Sequence, residues 1–174
     1  GDVYHILMYS QLQPRVLYEE SLLKDGLNGV KVLVMPDCDV LTESVVKRIQ
    51  KYQANGGLVV SDAEVCPAIK PDFAIPRFSR TKNATADRQA LYDAAAKLRK
   101  WLDTRYFRKV DSSNPDVVTR RRRFGSTDYI FTINDHREPG TYVGGYGLVM
   151  EDGLPAESSI QINSKAGRYV YDLQ

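Results

Sequence analysis

Lys31-Val-Leu-Val-Met-Pro-Asp-Cys-Asp-Val-Leu-Thr-Glu-Ser-Val-Val-Lys-Arg-Ile-Gln-Lys-Tyr-Gln-Ala-Asn-Gly-Gly-Leu-Val-Val-Ser-Asp62 reads as strand, loop, helix, stop and strand. Val32, Leu33, Val34 and Met35 form an unbroken apolar run, the pattern of a strand buried on both faces. Thr42 is a helix-capping residue, and Glu43 suits the positive amino end of the helix that follows. Val45, Val46, Ile49 and Tyr52 repeat at helical spacing and make one apolar stripe. Asn55-Gly56-Gly57 supplies a left-handed stop, and Leu58, Val59 and Val60 begin a second buried strand. A strand–helix–strand unit of this kind predicts a parallel sheet with a right-handed crossover. Ligand sites in such sheets lie beyond the carboxyl ends of the strands.

Working outward, Val3 to Tyr9 reads as a first strand ending at Ser10, and Pro14 as the start of a helix carrying Val16, Leu23 and Leu27. Gly26 and Gly29 end that helix. Residues 65–86 hold Pro67, Pro71 and Pro76 with little periodicity and read as an irregular excursion. A long helix over about 87–106 carries Leu91, Ala95, Leu98, Leu102 and Tyr106 on one face. The expected fold class is therefore α/β: a three-layer parallel-sheet unit over residues 1–110, with parallel strands containing Leu7, Leu33 and Val59. After Asp111-Ser-Ser-Asn-Pro115 the period changes. Val117 to Phe124 and Asp128 to Asn134 flank Gly125-Ser126, a hairpin signal. Short strands follow near 142–149, 158–163 and 168–173, so residues 111–174 read as a β-rich appendage.

The chain has 174 residues, 43% hydrophobic and 26% charged, which fits an ordinary globular core. Its net charge of +2 makes no electrostatic case for a nucleic-acid or membrane partner. The beginning Gly1-Asp2 and the strand-like ending suggest a piece cut from a longer protein, with Gly1 an expression scar. A secreted or periplasmic bacterial parent is compatible with the sequence, which leaves the compartment open. Cys38 and Cys66 make neither a disulfide framework nor a metal cluster, and no cofactor or metal is implied. Asn83-Ala84-Thr85 fits the glycosylation sequon.

Two groups of residues carry candidate chemistry. The first is a catalytic set of Cys66, His136 and Glu138, like the triad that class I glutamine amidotransferases place on a related scaffold. A cysteine nucleophile needs a tight, glycine-flanked elbow so that a helix amino end stabilises thiolate and oxyanion. Val65 and Pro67 flank Cys66 instead, which favours a small half-buried thiol. The second group is acidic: Asp37, Asp39, Asp62 and Glu64, with Ser10 nearby, at the carboxyl edge of the sheet. Carboxylates there suit sugar hydroxyls or a hard cation, and equally suit local capping of turns. The run Arg120-Arg-Arg-Arg123 is split between two faces if it is a strand, which weakens a phosphate-binding reading. Eleven tyrosines, Tyr142, Tyr146, Tyr169 and Tyr171 among them, fit strand packing as well as sugar stacking.

Pro14-Arg-Val-Leu-Tyr-Glu-Glu20, Val32-Leu-Val-Met-Pro36 and Tyr52-Gln-Ala-Asn-Gly-Gly-Leu-Val-Val60 resemble the β-galactosidase trimerisation domain over residues 3–66. That family has a class I glutamine-amidotransferase-like, flavodoxin-like fold, which the resemblance implies for residues 1–110, and lies downstream of the catalytic barrel in many multidomain glycoside hydrolases. Asn134 to Gly144 resembles the start of the β-sandwich region that follows such domains. The resemblance implies a non-catalytic accessory module that lacks the nucleophile and helps subunits associate. Its implied partners are other domains of the parent chain, a second copy of itself and carbohydrate. The Pro-rich excursion and the all-β tail depart from the family pattern.

Overall fold

The computed structural model describes residues 1–143 and 147–163, together with 169 and 171. It is a mixed structure, with one parallel three-stranded sheet and three two-stranded antiparallel sheets among the described residues. The helices are α1 (Asp2–Tyr9), α2 (Glu19–Asp25), α3 (Glu43–Ala54) and α4 (Ala84–Leu102). The parallel sheet holds β1 (Val32–Met35), β2 (Leu58–Ser61) and β3 (Phe73–Ala74), in that order. Val32 pairs with Leu58 and Met35 with Ser61, while Val60 pairs with Phe73.

Apolar side chains leave both faces of this sheet, as the run Val32–Met35 requires. Val32, Val34, Leu58, Val60 and Phe73 pack toward α1 and α4. Leu33, Met35 and Val59 pack toward α2 and α3, among Leu22, Val45 and Ile49. Each fully buried aliphatic side chain of this kind contributes about 1.5–3 kcal/mol, so the two clusters hold the helical layers in place. The stripe Leu91, Ala95, Leu98 and Leu102 is buried along α4, and Tyr106 packs against the same cluster from beyond the helix end.

The segment from Val3 to Tyr9 is helix α1, not a strand, and the third parallel strand is β3 in place of one containing Leu7. Val3, Ile6 and Leu7 stand at i, i+3 and i+4, and Ile6 and Leu7 are buried against α4, which fixes the helical period. β3 is only two residues long and sits between Pro71 and Pro76, within the stretch expected to be irregular. Its register is set by the Asp72 carboxylate, which accepts the Val59 N–H at 2.8 Å, while the Asp72 N–H donates to the Val59 carbonyl at 2.8 Å. The helix expected from Pro14 begins at Glu19. Residues 12–18 lie in neither helix nor strand, and the bonds from Gln11 and Gln13 to β5 hold the start of that stretch. The long helix starts at Ala84, capped by Asn83 Oδ1, which accepts the Ala86 N–H at 3.1 Å.

Helix α3 ends as its glycines predict. The Gly57 N–H donates to the Tyr52 carbonyl and the Gly56 N–H to that of Gln53, at 3.0 and 2.9 Å, and Gly56 has φ +82°. Thr42 opens the helix without a capping bond of its own; its hydroxyl donates to Glu19 at 2.9 Å and ties α3 to α2.

Beyond α4 every described strand pairing is antiparallel. β4 (Val110–Ser112) pairs with β9 (Ile160–Ile162), β5 (Val117–Phe124) with β6 (Thr127–Asn134), and β7 (Arg137–Val143) with β8 (Gly147–Gly153). The β5–β6 hairpin turns at Gly125-Ser126 as expected, with φ +56° at Gly125. The single strand expected over 142–149 is instead the end of β7 and the start of β8. The strand expected over 168–173 falls outside the described residues, apart from Tyr169 and Tyr171, which are exposed; Tyr146 also lies outside them.

Two polar connections join β5 to the helices. The side-chain amides of Gln11 and Gln13 run along its edge: Gln11 Nε2 donates to the Val117 carbonyl at 3.0 Å and Gln11 Oε1 accepts the Thr119 N–H at 3.3 Å. Gln13 repeats the pattern two residues on, donating to the Thr119 carbonyl at 3.0 Å and accepting the Arg121 N–H at 3.3 Å. Beside this ladder, Asp116 receives Arg88 at 2.8 Å and the Tyr92 hydroxyl at 2.5 Å, and Arg88 also donates to the Arg137 carbonyl. Burial first, then the bond to Asp116, pushes the Tyr92 phenol well above its usual range.

Gly57 is required by its neighbour. A Cβ there would stand 2.2 Å from the Tyr52 ring, whose hydroxyl donates to the Leu58 carbonyl at 3.3 Å. Gly57→Ala is expected to lower stability by about 1–3 kcal/mol in a denaturant titration. Adding Tyr52→Leu should recover part of that loss, and strict additivity of the two changes would show that the ring does not set the constraint.

Candidate functional site

The acidic group gathers where β1 and β2 end, and the backbone explains how. The chain leaves Met35 through Pro36 and enters the left-handed region at Asp37, with φ +54°. The loop is held by the carboxylate of Asp62, one residue past β2. Asp62 accepts the Asp37 N–H at 3.0 and 3.2 Å and the Glu64 N–H at 3.1 Å. The two loops then run side by side, with Cys38 bridged to Val65 in parallel and the Cys66 N–H donating to the Cys38 carbonyl at 2.7 Å. Asp37, Cys38, Asp62, Glu64 and Cys66 are thus brought together at the sheet's carboxyl end.

The charges in this group act mostly on the protein itself. The lone pairs of Asp62 are directed at backbone amides, which is how a carboxylate caps a turn. Glu64 pairs with Arg77 at 3.3 Å on the exposed surface. Asp37 and Asp39 are exposed. Burial, and then the negative charges of Asp62, Asp37 and Asp39, push the Cys38 thiol above its ordinary range, which disfavours the thiolate. Its Sγ donates to the Pro36 carbonyl at 3.3 Å. Among the described residues, no three His, Cys, Asp or Glu side chains are grouped to hold a metal ion.

Ser10 is not part of this edge. Because the segment before it is helical, Ser10 closes α1 instead of a strand. Its side chain is fully buried and donates to the Ile6 carbonyl at 2.8 Å and the Ala95 carbonyl at 3.1 Å, seaming α1 to α4. His136 and Glu138 belong to the antiparallel region: His136 lies between β6 and β7, its Nδ1 bonded to the Pro155 carbonyl at 2.9 Å, and Glu138 is an exposed residue of β7. Cys66 has its own contacts at the parallel sheet, so the structure assigns the three to different elements.

A depression with a different lining lies elsewhere. It has a volume of about 360 Å³ and opens at the amino ends of β1 and β2, where α2 and α3 terminate. Lys24, Lys31, Arg48 and Lys51 line it, and cations at helix carboxyl ends answer the helix dipole. Sequence reasoning also missed the exposed face of the β5–β6 hairpin. The alternation of arginines and aromatics carried the signal, but only the register shows which arginines are paired. Arg121 and Arg123 both meet Asp128, at 2.6 and 2.9 Å, and these arginines hold its carboxyl far below the usual range.

No protein-family model, curated protein or solved structure matches this chain. Among the described residues, no helix is long and apolar enough to cross a membrane.

The Asp62 bridge makes a specific prediction. Asp62→Ala removes the acceptor for two backbone amides and one of the charges raising the Cys38 thiol. It should cost about 1–3 kcal/mol in stability. It should also speed iodoacetamide alkylation of Cys38 at pH 8, read by peptide mass spectrometry, relative to Cys66. An unchanged ratio of the two rates would mean that Asp62 neither shields nor electrostatically restrains Cys38.

Proposed function

We propose that this chain is a non-catalytic interaction module of a larger carbohydrate-active, glycoside-hydrolase-like protein. In this reading residues 1–110 form a flavodoxin-like, class I glutamine-amidotransferase-like unit, and residues 111–174 a β-rich segment that starts a sandwich. The module supports domain packing or oligomerisation in its parent. Its partners are neighbouring domains, a second copy or carbohydrate, with no nucleic acid and no membrane.

The observation that carries the reading is the way the polar groups at the sheet's carboxyl end are spent. Asp62 is directed at the amides of Asp37 and Glu64, and Glu64 at Arg77. That end of the sheet is a clasp between two loops, while large apolar side chains are offered outward on the hairpin. The resemblance of residues 3–66 to the β-galactosidase trimerisation domain supports the same class. The helical α1 and the short β3 are departures that any relative would have to share.

The competing reading is a thiol hydrolase or amidotransferase using Cys66, His136 and Glu138. Chromogenic esters and glutamine offered to the purified chain separate the two. The module reading expects no turnover that depends on Cys66. A rate that falls at least about a hundredfold in Cys66→Ser and in His136→Ala, but not in Cys38→Ser, would establish the enzyme instead.

A further inference from the structure

The β5–β6 hairpin leaves the body of the protein with one face unanswered. Val117, Val118 and Thr119 are buried at its base, and beyond them the strands project. Cross-strand pairing sets Arg120 against Phe131 and Arg122 against Tyr129. These side chains share one face with Phe124 and Ile133, because residues two apart along a strand point the same way. Phe124 is 80% exposed, Tyr129 44%, Phe131 52% and Ile133 55%. The opposite face neutralises its own arginines through Asp128. Arg120 and Arg122 are exposed, and no carboxylate stands on their face of the hairpin.

The outer edge is open as well. Among the described residues β6 pairs with β5 alone. Since the Thr119 and Arg121 amides turn toward Gln11 and Gln13, the ladder to β6 runs through the alternate residues of β5, from Val118 to Phe124. On β6 the corresponding residues are Thr127, Tyr129, Phe131 and Ile133. The N–H and C=O groups of Ile130 and Thr132 therefore point away from β5. A long strand with a free edge and apolar side chains is a template for another strand.

We propose that this hairpin docks an extended acidic polypeptide segment, which adds as a third strand along β6 and lays its carboxylates toward Arg120 and Arg122. The proposal rests on the module reading and names the chemistry of the partner. Charge selects among the possible occupants. A second copy pairing through β6 would leave Arg120 and Arg122 on the outer β5 strands with their charges uncompensated. A nucleic-acid strand would find two free arginines on a chain of net charge +2, a salt dependence of slope only about −1.4. An acidic strand gains ladder bonds from the edge, apolar contact from Tyr129, Phe131 and Ile133, and two compensated charges.

Fluorescence anisotropy with a labelled alternating Glu-Val peptide tests this. Saturable binding is expected, with none for the matching Lys-Val peptide. Arg120→Glu with Arg122→Glu should weaken it at least about tenfold, and the two Arg→Gln changes by an intermediate amount. Thr132→Pro should remove binding while sparing the β5 ladder, because it deletes an outward N–H. Circular dichroism with a thermal melt reports whether each variant keeps the fold. No saturable binding at millimolar peptide, or equal affinity for the Lys-Val peptide, overturns the proposal. So does tighter binding of labelled oligothymidylate lost in the same variants, or a dimer that they dissolve. Any of these removes the docking assignment alone, whereas Cys66-dependent turnover removes the module reading.

Discussion

The edge of β5 is closed by side chains and not by a strand, and the placement of the antiparallel region depends on it. A strand edge presents an N–H and a C=O at every second residue, and burying them unpaired costs free energy comparable to a lost hydrogen bond at each group. A glutamine side chain ends in the same pair of groups. Gln11 and Gln13 stand two residues apart just past α1, and their amides meet β5 at the spacing of the strand they face. Leu12 between them points into the core. One short stretch thereby seals the helical layer and completes the edge. The Arg88–Asp116–Tyr92 group reinforces the junction from α4, with Arg88 and Tyr92 both donating to Asp116 in a place where a lone carboxylate would be costly.

That arrangement divides the hairpin. Its first three residues are buried against the body, and the remainder projects with its own internal pairing. Consequently the surface most suited to meeting another molecule is the β5–β6 hairpin, not the sheet end where α/β proteins usually bind. At the sheet end the carboxylate that would be the natural ligand group is occupied in joining loops. The two ends of the parallel sheet thus differ in kind: a clasp of acids at the carboxyl ends, and a shallow basic depression at the amino ends that answers two helix termini.

The sequence was legible where a pattern had only one solution. Val32–Met35, the α3 stripe, the Gly56-Gly57 stop and the Gly125-Ser126 turn each allowed a single local structure, and each appears at the expected residues. The segment Val3–Tyr9 was ambiguous because seven residues with apolar positions 3, 6, 7 and 8 are too few to separate a helical stripe from a short apolar strand, and contact with α4 decided between them. β3 was hidden because two residues carry no period, and its register comes from the Asp72 side chain. Of the candidate site, Asp37, Asp39, Asp62 and Glu64 were grouped by reasoning about strand ends, while Cys66, which the structure brings beside Cys38, was read with His136 and Glu138. Ser10 was misplaced with the strand it was thought to follow. The glutamine ladder was illegible, since nothing local distinguishes a glutamine that mimics backbone from one in solvent.

The most direct test of this account is native-state hydrogen exchange on the Thr119 and Arg121 amides, with Gln11→Ala and Gln13→Ala introduced together. If the glutamine side chains close the β5 edge, those two amides should lose at least about a hundredfold of their protection. The amides of Val59 and Val60, in the parallel sheet, should keep theirs. Undiminished protection at Thr119 and Arg121 would mean that something other than Gln11 and Gln13 covers the edge, and would contradict the account.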